Sequence, residues 1–275
     1  MNTRSRKPAI RWHLLAFLLG LASLLPGLAG AAGAPDSCKH LVVSGNPEYP
    51  PYLWRDPDDD TKLIGANADL MQMAAKELGI TVDVKYVGNW ARVQEETRLG
   101  RVDMIAGAFF TLPRLEYMDY MHPAFRETRT VIWARKDAKF GYAKWKDLVG
   151  LQGVTVIDNS FGEEFDRYAK ASLKITTVPS LKQALEMLDL GRVQYLIYEE
   201  DPGLAYAARM NIQNVKTMPV AVTNESLYLT LSHKSACNTG ELRGQLSQLM
   251  YKYAKQNVMK ELVDANIQRW RKSAK

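Results

Sequence analysis

Short β-like segments alternate with amphipathic helical segments along most of the chain, and this order constrains the fold more than any other feature of the sequence. Residues 41–44 are typical of a buried strand, residues 67–78 place apolar side chains at helical spacing, and residues 81–87 alternate as a second strand. Strands that are separated by helices of this length predict parallel sheets built from right-handed crossovers. The sequence therefore predicts an α/β fold.

The same order continues to the end of the chain. A Leu-Gly-Arg-Val motif occurs at 99–102 and again at 190–193, each time where a predicted helix ends and a strand begins. Two similar α/β units with a cleft between them would explain the repeat, but helix–Gly–strand junctions are also common in any such fold. The further predicted helices are 91–99, one from residue 144, 163–171, 180–190, 204–210, 239–255 and 258–271, and the further predicted strands are 102–106, 130–134, 154–157, 175–178, 195–198, 214–217 and 226–231.

The first 31 residues have the composition of a secretory signal peptide. Four basic residues lie between positions 4 and 11, an uncharged apolar run follows at 14–28, and small residues occupy 29–34. The apolar run is shorter than the roughly 20 residues that a membrane-spanning helix needs, although an N-terminal membrane anchor is the alternative. We therefore predict export through a signal peptide over residues 1–31, with cleavage after Ala31.

The charge balance argues against a nucleic-acid-binding protein. The chain carries 36 Lys and Arg against 30 Asp and Glu, but four of the basic residues and none of the acidic ones lie in the first 31 positions. The remaining chain is close to neutral, and its basic residues do not cluster with aromatic residues along one element. A composition of 47% hydrophobic and 24% charged residues likewise excludes a disordered or polytopic membrane protein.

Motifs for cofactors, metals and catalysis are missing from the sequence. It contains no Gly-x-Gly-x-x-Gly, no phosphate-binding loop, no Gly-x-Ser-x-Gly and no His-Glu-x-x-His. With two cysteines and four histidines, a metal site is not predicted, and we expect no cofactor. Cys38 and Cys237 can form one disulfide in an oxidising compartment, or they can remain two free thiols.

Aromatic residues and one arginine follow three successive predicted strands. Tyr49 lies in a proline-rich loop after the first strand, Trp90 follows the second, and Arg114 follows the third, where Gly107 permits close backbone approach. In open parallel sheets, ligands bind outside the carboxyl ends of the strands. A guanidinium there can hold a carboxylate through two hydrogen bonds, and aromatic rings supply apolar or cation–π contacts. The sequence predicts a site for a small polar molecule, although each aromatic residue alone would fit core packing.

An ordered series of motifs resembles one known family, the family 3 periplasmic solute-binding proteins, which are the polar amino acid receptors of ATP-binding-cassette (ABC) importers. The resemblance covers nearly the whole chain after the signal peptide. The motifs are Tyr-Pro-Pro-Tyr at 49–52, Ile-Gly-Ala-Asn-Ala-Asp-Leu at 64–70, Leu-Gly-Ile at 78–80, Asn-Trp at 89–90, Leu-Gly-Arg-Val-Asp-Met-Ile-Ala-Gly at 99–107, Thr-x-x-Arg at 111–114 and Met-His-Pro at 121–123.

The resemblance implies a two-lobed type II periplasmic-binding-protein fold, in which each lobe is a mostly parallel sheet flanked by helices. Residues 38–134 and 219–275 would form lobe 1, residues 135–218 would form lobe 2, and two crossing strands would hinge them. The protein would be a periplasmic monomer that binds a small amino acid or carboxylate. It would deliver this ligand to an ABC importer permease in the inner membrane.

Site residues follow from the resemblance by position. Arg114 would hold the α-carboxylate of the ligand, with help from the backbone near Gly107, while Tyr49 and Trp90 would flank the ligand side chain. In the second lobe, Glu200 matches the acid of the family that binds the α-ammonium group, and Asp201 is the near alternative. Free N–H groups of the loop that contains Ser160 and precedes a helix can meet an anion.

Three residues depart from the family pattern. Phe109 stands where a serine or threonine often contacts the carboxylate, and Phe161 replaces a small residue of the loop before a helix. Asn46 replaces an acid that is common in receptors for cationic amino acids. The two phenylalanine rings, together with the longer acid Glu200, predict a smaller or more apolar pocket than is usual, so an ordinary glutamine, histidine or arginine ligand is not expected.

Two other functions fit the same residues. A sensor or accessory binding protein would present the ligand to a membrane receptor or to another periplasmic enzyme. A secreted cyclohexadienyl dehydratase also uses this fold, and Glu199 or Glu200 could then act as a general acid. No histidine lies at the predicted cleft, so the sequence favours a binding protein over an enzyme.

Overall fold

The computed structural model describes residues 38–273 of the chain, so that the predicted signal peptide lies outside the described residues. Strands and helices alternate as the sequence predicts. The strands are β1 (His40–Ser44), β2 (Glu48–Tyr49), β3 (Leu53–Arg55), β4 (Leu63–Ile64), β5 (Thr81–Val84), β6 (Met104–Phe109), β7 (Met118–Arg135), β8 (Gln152–Val156), β9 (Lys174–Val178), β10 (Tyr195–Glu199) and β11 (Val215–Ser232). The helices are α1 (Ala66–Leu78), α2 (Trp90–Arg98), α3 (Leu112–Leu115), α4 (Glu163–Ser172), α5 (Leu181–Asp189), α6 (Glu200–Arg209), α7 (Gly240–Lys255) and α8 (Val258–Lys272).

Eight strands form one mixed sheet in the order β5-β1-β6-β11-β7-β10-β8-β9, and β2, β3 and β4 form a small separate sheet. At one end, β1 pairs in parallel with β5 and β6, and at the other end β8 pairs in parallel with β9 and β10. Between them, β7 and β11 run antiparallel to each other and to their neighbours. These two strands of 18 residues each connect the two parallel halves of the sheet.

The two long strands are where the structure differs from the predicted elements. The predicted strand 130–134 is the last part of β7, and the predicted strands 214–217 and 226–231 are the two ends of β11. Their middle parts carry polar and charged residues, which hide the strand pattern in the sequence, yet the two strands pair with each other from Arg135 to Met118, across register shifts. The parallel arrangement that the sequence predicts therefore holds within each half but not where the halves meet.

The helix that the sequence predicts from Lys144 onward is reduced to one turn in the structure. The structure has only a single 3₁₀ turn, Trp145–Leu148, at this position. The Asp147 carboxylate accepts hydrogen bonds from the backbone N–H groups of Ala143 and Lys144, which closes the turn. Gly150 has a φ of 87°, outside the helical region, and the chain passes directly into β8.

Local signals explain where the main helices begin and end. The side chain of Asn89 accepts a hydrogen bond from the Arg92 backbone at the start of α2, and Ser180 does the same for Gln183 at the start of α5. Helix α1 ends at Gly79 in the left-handed conformation. These caps fix where α2 and α5 begin and where α1 ends.

Close packing at Trp133 anchors helix α6 to the long strand β7. The Trp133 side chain is 1% exposed, and its indole N–H donates to the Tyr198 carbonyl oxygen over 3.3 Å. A Cβ atom on Gly203 of α6 would lie 2.2 Å from the Trp133 ring. Helix α6 therefore packs this closely on β7 only because residue 203 is glycine, and this packing sets where the preceding residues, 199–201, lie.

A disulfide between Cys38 and Cys237 is present, which settles the alternative that the sequence left open. The two Cα atoms are 5.0 Å apart, and both residues are buried. The bond ties Cys38, two positions before β1, to the turn before α7, across a sequence separation of 199. Among residues 38–273, no helix has the length and apolar character needed to cross a membrane.

Candidate functional site

A small cavity lies at the carboxyl ends of β1, β6, β8 and β10, where the two halves of the sheet face each other. Its volume is about 30 Å³, enough for one or two water molecules. We call it the Arg114 cavity. It is lined by Asn46, Tyr49, Trp90, Gly107, Ala108, Phe109, Arg114, Asn159, Ser160, Glu199 and Leu227.

The guanidinium group of Arg114 is buried and held in place by neighbours in its own half of the sheet. The residue is 5% exposed, and it donates from Nε to the Gln94 side-chain oxygen over 3.2 Å and from Nη1 to the Phe109 carbonyl over 3.1 Å. The Arg114 Cζ atom lies 5.3 Å from the centre of the Trp90 ring. These contacts fix the orientation of the guanidinium and leave its Nη2 end facing the other half.

Three donors from one half converge on a single carbonyl oxygen of the other half, that of Asp158. Arg114 Nη2 lies 3.3 Å from this oxygen, and Trp90 Nε1 and Gln94 Nε2 each lie 3.2 Å from it. Asp158 follows β8 in the left-handed conformation, with a φ of 59°, which aspartate tolerates better than most residues. The arrangement marks a position at which one oxygen acceptor, such as that of a carboxylate, receives three hydrogen bonds.

Gly107 has a structural reason to be glycine. Its φ is 113°, and a Cβ atom there would lie 2.6 Å from the side-chain nitrogen of Asn67. That nitrogen donates to the Ala106 carbonyl over 2.7 Å. The backbone of β6 can therefore line the cavity directly, as the sequence analysis expects.

The acid that lines the Arg114 cavity is Glu199, the last residue of β10. It is 3% exposed, and its Oε2 atom has no hydrogen-bond partner among the described residues. Burial raises the pKa of Glu199 to about 7, an effect that a backbone hydrogen bond and the positive charge of Arg114 only partly offset. Thr130, which pairs with Glu199 in the β7–β10 ladder, also has a buried hydroxyl without a partner in the described part of the chain.

Glu200, the acid that the sequence analysis selects, lies outside this cavity. It begins helix α6, and its carboxylate pairs with Arg129 at 2.6 Å. Asp201, the alternative, accepts a hydrogen bond from the Tyr52 hydroxyl at 2.7 Å. Of these three acids, therefore, Glu199 is the one that lines the Arg114 cavity, and the expectation that Glu200 contacts the ligand stays a prediction. Glu199 ends β10 and Glu200 begins α6, and the sequence, which has two consecutive acids here, does not reveal this boundary.

The loop before α4 is placed only partly as expected. Ser160 lines the Arg114 cavity, and its hydroxyl donates to the Asp166 carboxylate. Phe161 is 3% exposed and points away into the core of its half, where its ring lies 6.1 Å from that of Phe165. The Phe161 N–H is already bonded to Asp166 at 2.9 Å. Of the two phenylalanine residues expected to narrow the pocket, only Phe109 lines it.

Further contacts cross the cleft beside the cavity. The Asn46 side-chain nitrogen donates to the Tyr198 hydroxyl at 3.1 Å. The Glu48 carboxylate, from the small sheet, accepts a hydrogen bond from the backbone N–H of Leu181 at 2.7 Å, at the start of helix α5. Glu48 cannot be recognised from the sequence as a residue of this region, because its hydrogen-bond partner is 133 positions away. Among residues 38–273, no group of three or more His, Cys, Asp or Glu residues could hold a metal ion.

Comparison with known proteins shows similarity to bacterial solute-binding proteins. The family model for bacterial extracellular solute-binding proteins, family 3, matches residues 41–275. The L-cystine-binding protein TcyA of Bacillus subtilis is 26% identical over 211 residues, which cover 76% of this chain and 74% of TcyA.

The solved structures of similar fold include a sensor domain and a transporter substrate-binding protein. A histidine kinase sensor domain with similarity to periplasmic binding proteins has a TM-score of 0.71 and 23% identity, over 86% of this chain and 97% of that one. The amino acid ABC transporter substrate-binding protein AbpA of Streptococcus pneumoniae, bound to L-arginine, has a TM-score of 0.70 and 16% identity, over 84% and 96% of the two chains. These structures confirm the predicted fold class.

Proposed function

The chain belongs to the bacterial extracellular solute-binding proteins, family 3, and from this premise we propose that it captures an amino acid in the Arg114 cavity for an ABC importer. TcyA is a cystine-binding protein, and the AbpA structure contains bound arginine, so both proteins bind amino acids. The family is one of binding proteins and not of enzymes, in agreement with the sequence analysis. The similar proteins described above are binding proteins and a sensor domain, and none of them is a dehydratase.

One observation carries the proposal: a buried guanidinium and a buried carboxyl, Arg114 and Glu199, line the same cavity. The two charges match those of an amino acid zwitterion. The ligand carboxylate would take the place of the Asp158 carbonyl oxygen and receive its three donors. The ligand ammonium would satisfy the Glu199 oxygen that lacks a partner among the described residues.

An amino acid can reach this position only if the cleft opens, because the present cavity of about 30 Å³ has no room for it. We propose that the halves of the sheet are two lobes, 38–134 with 219–273 and 135–218, that move about β7 and β11. Opening would break the contact between Glu48 and the start of helix α5, since the two lie on opposite lobes.

Glu48→Gln is expected to weaken amino acid binding by about 2- to 5-fold, although Glu48 does not line the Arg114 cavity. A carboxylate at a helix N-terminus contributes roughly 0.3–1 kcal/mol, and this contribution is present only when the cleft is closed. Isothermal titration calorimetry measures the effect. Glu164→Gln, which removes an exposed carboxylate from α4, is the matched control. Equal affinities for the two variants would rule out a role of Glu48 in closure.

Amino acid affinity is expected to fall about tenfold when the pH is lowered from 8 to 6. The pKa of Glu199 is about 7, so the carboxyl is ionised at pH 8 and protonated at pH 6, where it no longer attracts an ammonium group. Glu199→Gln should bind more weakly at pH 8 and lose this pH dependence. A wild-type affinity that stays constant from pH 8 to pH 6 would contradict the assignment.

The stability of the ligand-free protein should change with pH in the opposite direction to the affinity and increase as the pH is lowered. The pKa of Glu199 is about 7 in the folded chain, above the ordinary glutamate value of 4.5, so the neutral carboxyl favours the folded state. This contribution to stability is complete below a pH of about 4.5 and is lost as the pH rises through about 7. Glu199→Gln should therefore raise the melting temperature at pH 8 more than at pH 4.5. An equal change at both pH values would show that ionisation of Glu199 is not the cause.

The route and the partner complete the proposal. Export through the signal peptide 1–31 would place the protein in the periplasm as a monomer, where the lobes would present the closed amino acid complex to an inner-membrane permease. A sensor or accessory role uses the same cleft. Loss of uptake of the radiolabelled amino acid after deletion of the gene would support the importer role, whereas unchanged uptake would favour the sensor role.

The binding proposal itself is tested by thermal shift of the purified chain from residue 32 onward against the common amino acids, followed by calorimetry. We expect a saturable rise in melting temperature with at least one amino acid, because a ligand that binds only the folded state stabilises it. If no amino acid shifts the melting temperature at millimolar concentration, the proposal fails.

A further inference from the structure

A second cavity lies directly behind Glu199 and is much larger than the first. Its volume is about 300 Å³, compared with about 30 Å³ for the Arg114 cavity. Arg126 and Arg129 of the long strand β7 line it on one side, and Glu200 and Asp201 at the start of α6 line it on the other. We call it the Arg129 cavity.

Glu199 lines both cavities, so this one side chain lies between them. Glu199 is 3% exposed, and its buried Oε2 atom has no hydrogen-bond partner in the described part of the chain. Buried polar atoms in folded proteins nearly always have a partner, and an exception points to a missing group. A ligand that occupies the Arg114 cavity and passes Glu199 would enter the Arg129 cavity.

The charges of the Arg129 cavity restrict what can enter it. Arg129 pairs with Glu200 at 2.6 Å, and Arg126 lies 3.7 Å from the Asp201 carboxylate, so both signs of charge stand side by side. An apolar group would displace water from these charges without replacing its hydrogen bonds, which is costly. A group of one sign would meet like charge across the cavity. A group that carries both a carboxylate and an ammonium can pair with both sides.

We propose that the Arg129 cavity is a second subsite of the amino acid site, and that the preferred ligand is an elongated amino acid whose side chain ends in a second zwitterionic head. The first head binds between Arg114 and Glu199, and the second head binds among Arg126, Arg129, Glu200 and Asp201. The proposal rests on the proposed function, since it extends the same ligand beyond the Arg114 cavity.

Four ligands with one carbon chain test the proposal by calorimetry with the chain from residue 32 onward. Norleucine has an apolar end, lysine adds an ammonium at the sixth carbon, 2-aminopimelate adds a carboxylate there, and 2,6-diaminopimelate adds both. We expect 2,6-diaminopimelate to bind at least tenfold more tightly than norleucine, with the two singly charged ligands between them. Equal or tighter binding of norleucine would overturn the second subsite.

Arg129→Gln should reduce the advantage of 2,6-diaminopimelate over norleucine to about twofold or less, because the carboxylate of the second head loses this partner. Arg98→Gln, which removes an exposed arginine paired with Glu95, is the matched control and should preserve the advantage. Arg126→Gln serves in its place if the first variant does not fold. If Arg129→Gln weakens all four ligands equally, Arg129 acts through the fold and the subsite is overturned.

The outcome also separates this inference from the proposed function. If none of the four ligands binds but another amino acid does, and Arg114→Ala weakens that binding by about 30-fold or more, the second subsite is wrong and the proposed function stands. If no amino acid binds at all, the proposed function fails and the subsite fails with it.

Discussion

Replacing Arg114 by alanine is expected to weaken amino acid binding by about 30- to 100-fold. The guanidinium is buried and oriented by Gln94 and Phe109, so it can offer a ligand carboxylate a charge-assisted hydrogen bond without further ordering. Hydrogen bonds to charged groups contribute roughly 1.5–3 kcal/mol, and a loss of about 2–2.7 kcal/mol within this range corresponds to the expected change in affinity. Titration calorimetry with the amino acid that gives the largest thermal shift measures the effect.

Arg114→Lys provides the control for this experiment. Lysine keeps the positive charge but lacks the planar guanidinium that Gln94 and Phe109 orient, so the affinity of this variant should lie between those of wild type and alanine. The alanine variant leaves the Phe109 carbonyl and the Gln94 side chain without their donor, so its melting temperature must be checked before binding is compared. An alanine variant that is folded and binds within twofold of wild type would exclude Arg114 as the carboxylate ligand.

Removal of the disulfide is expected to lower the free energy of unfolding by about 3–5 kcal/mol. The bond closes a loop across 199 positions, and the chain-entropy model gives about 5 kcal/mol for a loop of this length. Engineered and natural disulfides often contribute less than the model predicts, which sets the lower end. Urea unfolding of the Cys38→Ala, Cys237→Ala double variant measures the change.

A reducing agent should have the same effect on the wild-type protein and none on the double variant. This comparison separates loss of the cross-link from the loss of buried sulfur atoms, since Cys38 is 0% and Cys237 5% exposed. An unfolding midpoint that is the same with and without the disulfide would show that the cross-link does not constrain the unfolded chain.

Local signals in the sequence predict the elements that lie within each half of the fold. Helix α1 is expected at 67–78 and found at Ala66–Leu78, because its apolar spacing and Gly79 are both local features. Strand β11 is different. Its ends are predicted as two short strands, since its polar middle part is stabilised by pairing with β7, which the sequence does not show.

The residues of the candidate site are likewise predicted where they depend on local sequence features and missed where they depend on distant contacts. Tyr49, Trp90 and Arg114 directly follow or lie near strand ends, and the structure places all three in one cavity. The choice between Glu199 and Glu200 depends on where β10 ends and α6 begins, a boundary that is uncertain by a residue or two in any sequence-based prediction. Distant contacts such as that of Glu48 with Leu181 need the folded chain to be seen at all.

The most direct test of the account is a crystal structure of the chain with the amino acid that stabilises it most. We expect the α-carboxylate of the ligand within hydrogen-bond distance of Arg114 and Trp90, in place of the Asp158 carbonyl oxygen, and the α-ammonium group beside Glu199. A ligand bound elsewhere, with Arg114 still bonded to Asp158, would contradict the account.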